Sequence, residues 1–62
     1  NLTARELVIL SKLGSGTENK EIAQHLYITQ ATVKTHLSSI YRKLKVDNRT
    51  QAVAFARKNE LF

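Results

Sequence analysis

The chain has 62 residues, no cysteine, two histidines and a formal net charge of +5. A chain of this length forms one small domain, and its apolar core leaves little room for an enclosed active site. The composition therefore excludes disulfides and thiolate metal sites and argues against an enzyme, and we expect no metal and no cofactor.

Apolar residues recur at helical spacing in several windows, proline is absent, and no window alternates convincingly as a β-strand does. An all-α fold of four helices is predicted, at about residues 3–14, 19–26, 30–44 and 49–59. The first helix opens at a capping box, in which Thr3 is the N-cap and Glu6 follows three residues later. It ends at Gly14 and Gly16.

The second helix is short, and Thr17 or Asn19 is expected to supply its cap. Only the three residues YIT separate it from the third helix, for which Thr29 is a natural N-cap. Two helices joined by about three residues, the second longer and basic, describe a helix-turn-helix. The motif is predicted at about residues 19–38.

The third helix carries only one sign of charge, because residues 31–45 contain four basic residues and no acidic one. Its apolar positions point into the core: Val33, Leu37, Ile40 and Leu44. The opposite stripe consists of Ala31, Lys34, Thr35, Ser38, Arg42 and Lys45. This pattern fits a helix in the major groove of DNA, with its polar end against the bases and its cationic end along the sugar–phosphate backbone.

Two sets of contacts are expected from the helix-turn-helix. Base contacts are assigned to Lys34, Thr35, Ser38 and Ala31. Lys34 can reach guanine O6 and N7, whereas Ala31 offers only an apolar contact to a thymine methyl. Phosphate contacts are assigned to Lys20, Thr32, His36, Arg42, Lys43 and Lys45. Thr32 lies at the start of the third helix, where free amides and the helix dipole favour an anion.

The fourth helix, which Asn48 is expected to cap, carries two stripes. Ala52, Val53 and Ala56 look inward. The outer stripe consists of Gln51, Ala54, Phe55, Lys58 and Phe62. An aromatic residue on the outer side of a short helix often marks an interface. Two interpretations stay open, a dimer interface or completion of the small core by the two phenylalanines.

Four segments of the chain resemble the LuxR/FixJ-type helix-turn-helix domain, as in response regulators of the NarL/FixJ class and in autoinducer-sensing regulators. They are LTARE (2–6), NKEIAQHLYIT (19–29), TVKTHLSSIYRKLKV (32–46) and NRTQAV (48–53), and together they cover nearly the whole chain. Four features depart from the family pattern. Lys12 stands where an apolar residue is usual, and Leu7-Val8 replaces a more polar pair. Glu18 stands at the usual serine N-cap of the second helix, and Lys45 replaces the customary glycine after the third, which predicts a less relaxed turn there.

The resemblance implies a four-helix domain whose third helix enters the major groove and whose fourth helix mediates dimerisation. It implies that residues 1–62 are the C-terminal effector domain of a longer cytoplasmic regulator, with an N-terminal receiver or ligand-sensing domain. The function expected on these grounds is sequence-specific binding of double-stranded DNA by a homodimer, in the regulation of transcription and without catalysis.

Other classes of function stay open. A helix-turn-helix can be reused as a protein–protein interaction module for an acidic partner. Non-specific binding of nucleoid DNA or of RNA would use the same basic surface. No membrane partner is expected, because no apolar run approaches the ~20 residues that span a bilayer. The basic face of the third helix also lacks an opposing free apolar face.

Overall fold

The computed structural model describes residues 1–61. Within these residues it contains α-helices and no strand. The helices are α1 (Ala4–Gly14), α2 (Asn19–Leu26), α3 (Gln30–Leu44) and α4 (Arg49–Lys58). The predicted all-α fold of four helices is confirmed, and each predicted boundary lies within one residue of the observed one.

The core is built from one apolar stripe of each helix. Its buried residues are Ile9, Leu10, Leu13, Ile22, Ala23, Val33, Leu37, Ile40, Ala52 and Ala56. The third helix is central, because it packs against α1, α2 and α4, whereas α4 packs against α1 as well as α3. Contacts to three neighbours fix the direction of α3 and leave only its outer face free.

Three of the four helices begin at the predicted caps. The N–H of Glu6 donates to Thr3 Oγ1 at 3.1 Å, and the N–H of Thr3 donates to Glu6 Oε1 at 2.9 Å, which completes the capping box. Thr29 caps α3 by accepting from the N–H of Thr32 at 3.1 Å. Asn48 caps α4 in the same way.

The predicted cap of α2 is wrong. Its N-cap is Glu18, whose N–H donates to the Glu21 carboxylate at 3.4 Å. Thr17 lies one residue before this position, and its N–H bonds to the carbonyl of Lys12 at the end of α1. Asn19 is already the first helical residue.

All four helices end in the same backbone motif. A residue in the left-handed region follows each helix, and the next N–H bonds back five residues to a carbonyl of the helix, as in a Schellman motif. The left-handed residues are Gly16 (φ 80°), Tyr27 (φ 57°), Lys45 (φ 59°) and Glu60 (φ 54°). The corresponding bonds are Thr17 to Lys12, Ile28 to Ala23, Val46 to Tyr41 and Leu61 to Ala56, at 2.9–3.0 Å. Only α1 ends in the glycine that this conformation favours.

Candidate nucleic-acid interface

The outer face of α3 is the candidate site. The helix has 15 residues, so it is roughly 22 Å long and can lie along a groove. Its inner face is buried through Val33, Leu37 and Ile40. Six residues are exposed and lie together on the outer face: Ala31, Lys34, Thr35, Ser38, Arg42 and Lys45. The structure thus brings together all four predicted base-contacting residues.

Two threonine hydroxyls near the start of α3 are already engaged within the protein. Thr35 Oγ1 donates to the carbonyl of Ala31 at 3.1 Å, which fixes the side chain and leaves its methyl group and oxygen lone pairs available. Thr32 Oγ1 lies 2.9 Å from Thr29 Oγ1. Each hydroxyl oxygen can still accept a hydrogen bond from a ligand. The Thr32 hydroxyl can donate to a ligand only when the Thr29 hydroxyl is the donor in the bond between the two threonines.

Of the six predicted phosphate-contacting residues, His36 is half-buried. The other five are exposed: Lys20, Thr32, Arg42, Lys43 and Lys45. Lys20 lies in the first turn of α2, near the positive end of that helix. The ion pair found within residues 1–61 is that of Lys43 with Glu6, so the charges of the other three cations face solvent without a carboxylate partner.

Lys43, which was expected to contact phosphate, has a carboxylate partner within the fold. Its Nζ donates to Glu6 Oε1 at 2.7 Å, and Ser39 Oγ donates to the other carboxylate oxygen, also at 2.7 Å. Glu6 is 3% exposed. The bond from Lys43, followed by that from the N–H of Thr3, lowers the pKa of Glu6 to about 2. Lys43 therefore ties α3 to α1, and its charge is neutralised within the fold.

Two arginines of α4 also act inside the fold. Arg49 Nη2 donates to the carbonyl of Thr17 at 2.7 Å, and Arg57 Nη2 donates to the carbonyl of Gly14 at 3.2 Å. Cations at the C-terminal end of α1 complement the helix dipole. These bonds join α4 to the end of α1 and to the loop between α1 and α2.

The predicted interface stripe of α4 is exposed at the four described positions, Gln51, Ala54, Phe55 and Lys58. Phe55 is 36% exposed, so part of its ring faces solvent. Phe55 also lines a surface groove of about 520 Å³ together with Leu2, Leu7, Leu44 and Leu61. The fifth predicted member, Phe62, lies outside the described residues.

In the described part of the chain no helix is long and apolar enough to span a bilayer. Helices α2 and α3 are joined by a three-residue turn, and the outer face of α3 is exposed and cationic. Together they define a helix-turn-helix domain of the nucleic-acid-binding class. A family model described as "Bacterial regulatory proteins, luxR family" matches residues 1–56. The chain belongs to this family.

Several relatives are response regulators or other transcription regulators. The chain is 51% identical over 61 residues to the transcriptional regulatory protein LiaR of Bacillus subtilis (strain 168), covering 98% of this chain and 29% of LiaR. It is 54% identical over 56 residues to the transcriptional regulatory protein LnrK of the same strain, covering 90% of this chain and 26% of LnrK. The chain thus spans less than a third of the length of these relatives.

Two solved structures share the fold. The response regulator ChrA of a heme-sensing two-component system aligns with a TM-score of 0.94 and 52% identity, over all of this chain and 31% of the ChrA chain. The second structure is the anti-activator RapF in complex with the DNA-binding domain of the response regulator ComA. It aligns with a TM-score of 0.89 and 40% identity, over 92% of this chain and 98% of the matched chain.

Proposed function

We propose that this domain binds double-stranded DNA sequence-specifically, with α3 in the major groove, as the effector domain of a bacterial transcription regulator. The observation that carries the proposal is the exposed outer face of α3, which holds Lys34, Arg42 and Lys45 and has no acidic residue. A carboxylate on this face would lie close to phosphate and repel it. Membership of the luxR family supports the same function.

Lys34 is the principal base-reading residue in this proposal. It is exposed one turn into α3, where the first two turns of a recognition helix meet base edges. Its ammonium group can donate to guanine O6 and N7, which discriminates between bases by about 1–3 kcal/mol. Ala31, Thr35 and Ser38 are short, so they allow close approach and add methyl or hydroxyl contacts to neighbouring bases.

The phosphate contacts come from Lys20, Thr32, His36, Arg42 and Lys45. Lys20 approaches the backbone from α2, whereas Arg42 and Lys45 follow it at the far end of α3. Three or four neutralised phosphates per subunit give a log–log dependence of affinity on salt with a slope of roughly −3 to −4. Lys43 adds nothing to this slope, since Glu6 already neutralises it.

The larger assembly is part of the proposal. We infer that the full regulator carries an N-terminal receiver or ligand-sensing domain and acts in the cytoplasm. The additional domain is supported by relatives such as LiaR, which are more than three times as long as this chain. We infer that two copies pair through Gln51, Ala54, Phe55 and Lys58 of α4. Their recognition helices would then meet half-sites about one helical turn apart.

One observation favours a second function, that of a protein-binding module. The ComA DNA-binding domain, which has the same fold, was solved in complex with the anti-activator protein RapF. A protein that binds the outer face of α3 here would compete with DNA for the same cations. The two functions can therefore occur on one surface. A direct binding measurement with duplex DNA distinguishes them.

Selection of bound duplexes from a random pool tests the main proposal. A repeated half-site is expected, and Lys34→Ala is expected to weaken binding of the selected duplex about 10-fold while affecting a scrambled duplex much less. Arg5→Ala, which removes an exposed positive charge from α1, serves as the matched control. It should not weaken binding of the selected duplex more than binding of the scrambled duplex. Enrichment of no sequence, or equal losses on both duplexes for Lys34→Ala, would contradict base reading by this residue.

A further inference from the structure

Tyr27 is the most exposed large apolar side chain of the described residues, and the fold gives it nothing to pack against. It is 95% exposed, compared with 36–43% for the next four such residues. It lies in the three-residue turn of the helix-turn-helix, immediately after α2. Packing within the domain therefore does not account for a tyrosine at this position.

The backbone of Tyr27 makes this exposure more informative. Its φ of 57° and ψ of 42° are left-handed, a conformation that is unfavourable for any residue with a Cβ atom. The bonds of the Schellman motif are made by the backbone alone, and it is Ile28 that packs against the core. Gly16 fills the equivalent position after α1. Glycine would therefore serve the fold better than tyrosine here.

The location of Tyr27 identifies what it can contact. Only Ile28 separates it from Thr29, the N-cap of α3, so Tyr27 is close in the chain to the N-terminal end of α3, where the proposed DNA interface begins. No acidic residue occurs from Tyr27 to Val46, so nothing in this segment repels phosphate. Tyrosine hydroxyls are common donors to phosphate oxygens in protein–DNA complexes.

We propose that Tyr27 contacts the sugar–phosphate backbone at the N-terminal end of α3, with its phenol O–H donating to a phosphate oxygen. This inference rests on the proposed function of α3. Tyr27 and Lys45, both left-handed and non-glycine, stand at the two ends of the recognition helix, and each offers a backbone contact there. The contact is uncharged at Tyr27 and cationic at Lys45.

The test compares Tyr27→Phe and Tyr27→Gly with the wild-type 62-residue chain, using a selected duplex and a scrambled duplex of equal composition. Both variants are expected to bind both duplexes about 5- to 10-fold more weakly. The log–log salt slope should not change, because no charge is removed. Tyr27→Gly should be at least as stable to urea as the wild type, so that its affinity falls while its stability does not.

Glu60→Gly is the matched control, since it also places glycine at a left-handed position, at the end of α4. Its stability should not fall, and its affinity for either duplex should not fall. Wild-type affinity in Tyr27→Phe overturns the hydroxyl contact while leaving the proposed function intact. A loss of stability in Tyr27→Gly shows that the side chain serves the fold, which also overturns the inference. Failure of the wild type to bind any duplex refutes the proposed function itself.

Discussion

The Glu6 cluster offers the sharpest prediction about stability. Glu6 is buried and accepts from the N–H of Thr3, from Lys43 Nζ and from Ser39 Oγ, at 2.7–2.9 Å. Glu6→Gln keeps the size of the side chain but removes the charge. The amide can then offer only one oxygen to three donors, so the ammonium group of Lys43 loses its carboxylate partner.

The magnitude follows from the pKa of Glu6. Lowering of this pKa from its ordinary value of 4.5 to about 2 corresponds to about 3 kcal/mol of stabilisation at neutral pH. The Lys43 side chain is 32% exposed, so solvent screens the pair, and we expect Glu6→Gln to cost about 2 kcal/mol. A domain of this size is stabilised by only about 3–9 kcal/mol in total.

The pH dependence has a defined sign. Because the folded-state pKa is below the unfolded-state pKa, the stabilisation is complete above about pH 4.5 and is lost as the pH falls towards 2. The difference in unfolding free energy between wild type and Glu6→Gln should therefore be largest at pH 7 and shrink between pH 5 and pH 2.

Urea denaturation followed by circular dichroism at several pH values measures this difference. Glu60→Gln is the matched control, because Glu60 is an exposed carboxylate outside any ion pair found in residues 1–61. It should change stability by less than about 0.5 kcal/mol. Equal losses for the two variants, or a Glu6→Gln deficit that does not depend on pH, would refute the assignment of this stability to the Glu6 cluster.

Two further substitution pairs test the assignments on α3 and α4. Arg42→Ala should reduce the magnitude of the log–log salt slope by about 1, whereas Lys43→Ala should leave the slope unchanged. Fluorescence anisotropy with a labelled duplex, from low to moderate salt, measures both slopes. Equal slope changes for the two variants would show that Lys43 contacts phosphate. Phe55→Ala should weaken self-association in sedimentation equilibrium, whereas Thr50→Ala, at another exposed position of α4, should not. Unaltered self-association of Phe55→Ala would place the dimer contact elsewhere.

The helices and most of their caps could be predicted because the responsible interactions are local. A capping box joins residues three positions apart, as Thr3 and Glu6 show, and the apolar stripe of α3 repeats within one helix. The outer face of α3 follows from the same periodicity, since residues opposite a buried stripe must face outward. The bounds of α2 were predicted correctly although its cap was not.

Interactions between distant residues could not be predicted. Glu6 and Lys43 are 37 residues apart, and Arg49 and Thr17 are 32 apart, so their pairing depends on the packing of whole helices. Lys43 follows Arg42 in sequence and carries the same charge, yet one faces α1 and the other faces solvent. Composition could not separate them. The cap of α2 was misplaced because the N-cap is Glu18, a residue type outside the usual capping set.

The central claim is that the outer face of α3 is the DNA-binding surface, and a titration of the ¹⁵N-labelled chain with a selected duplex tests it most directly. Amide shifts should change at Ala31, Lys34, Thr35 and Ser38, with smaller changes at the start of α2, and amides of α1 around Val8 should stay in place. Shifts confined to α1 or α4, or an unchanged spectrum at saturating duplex, would contradict the account.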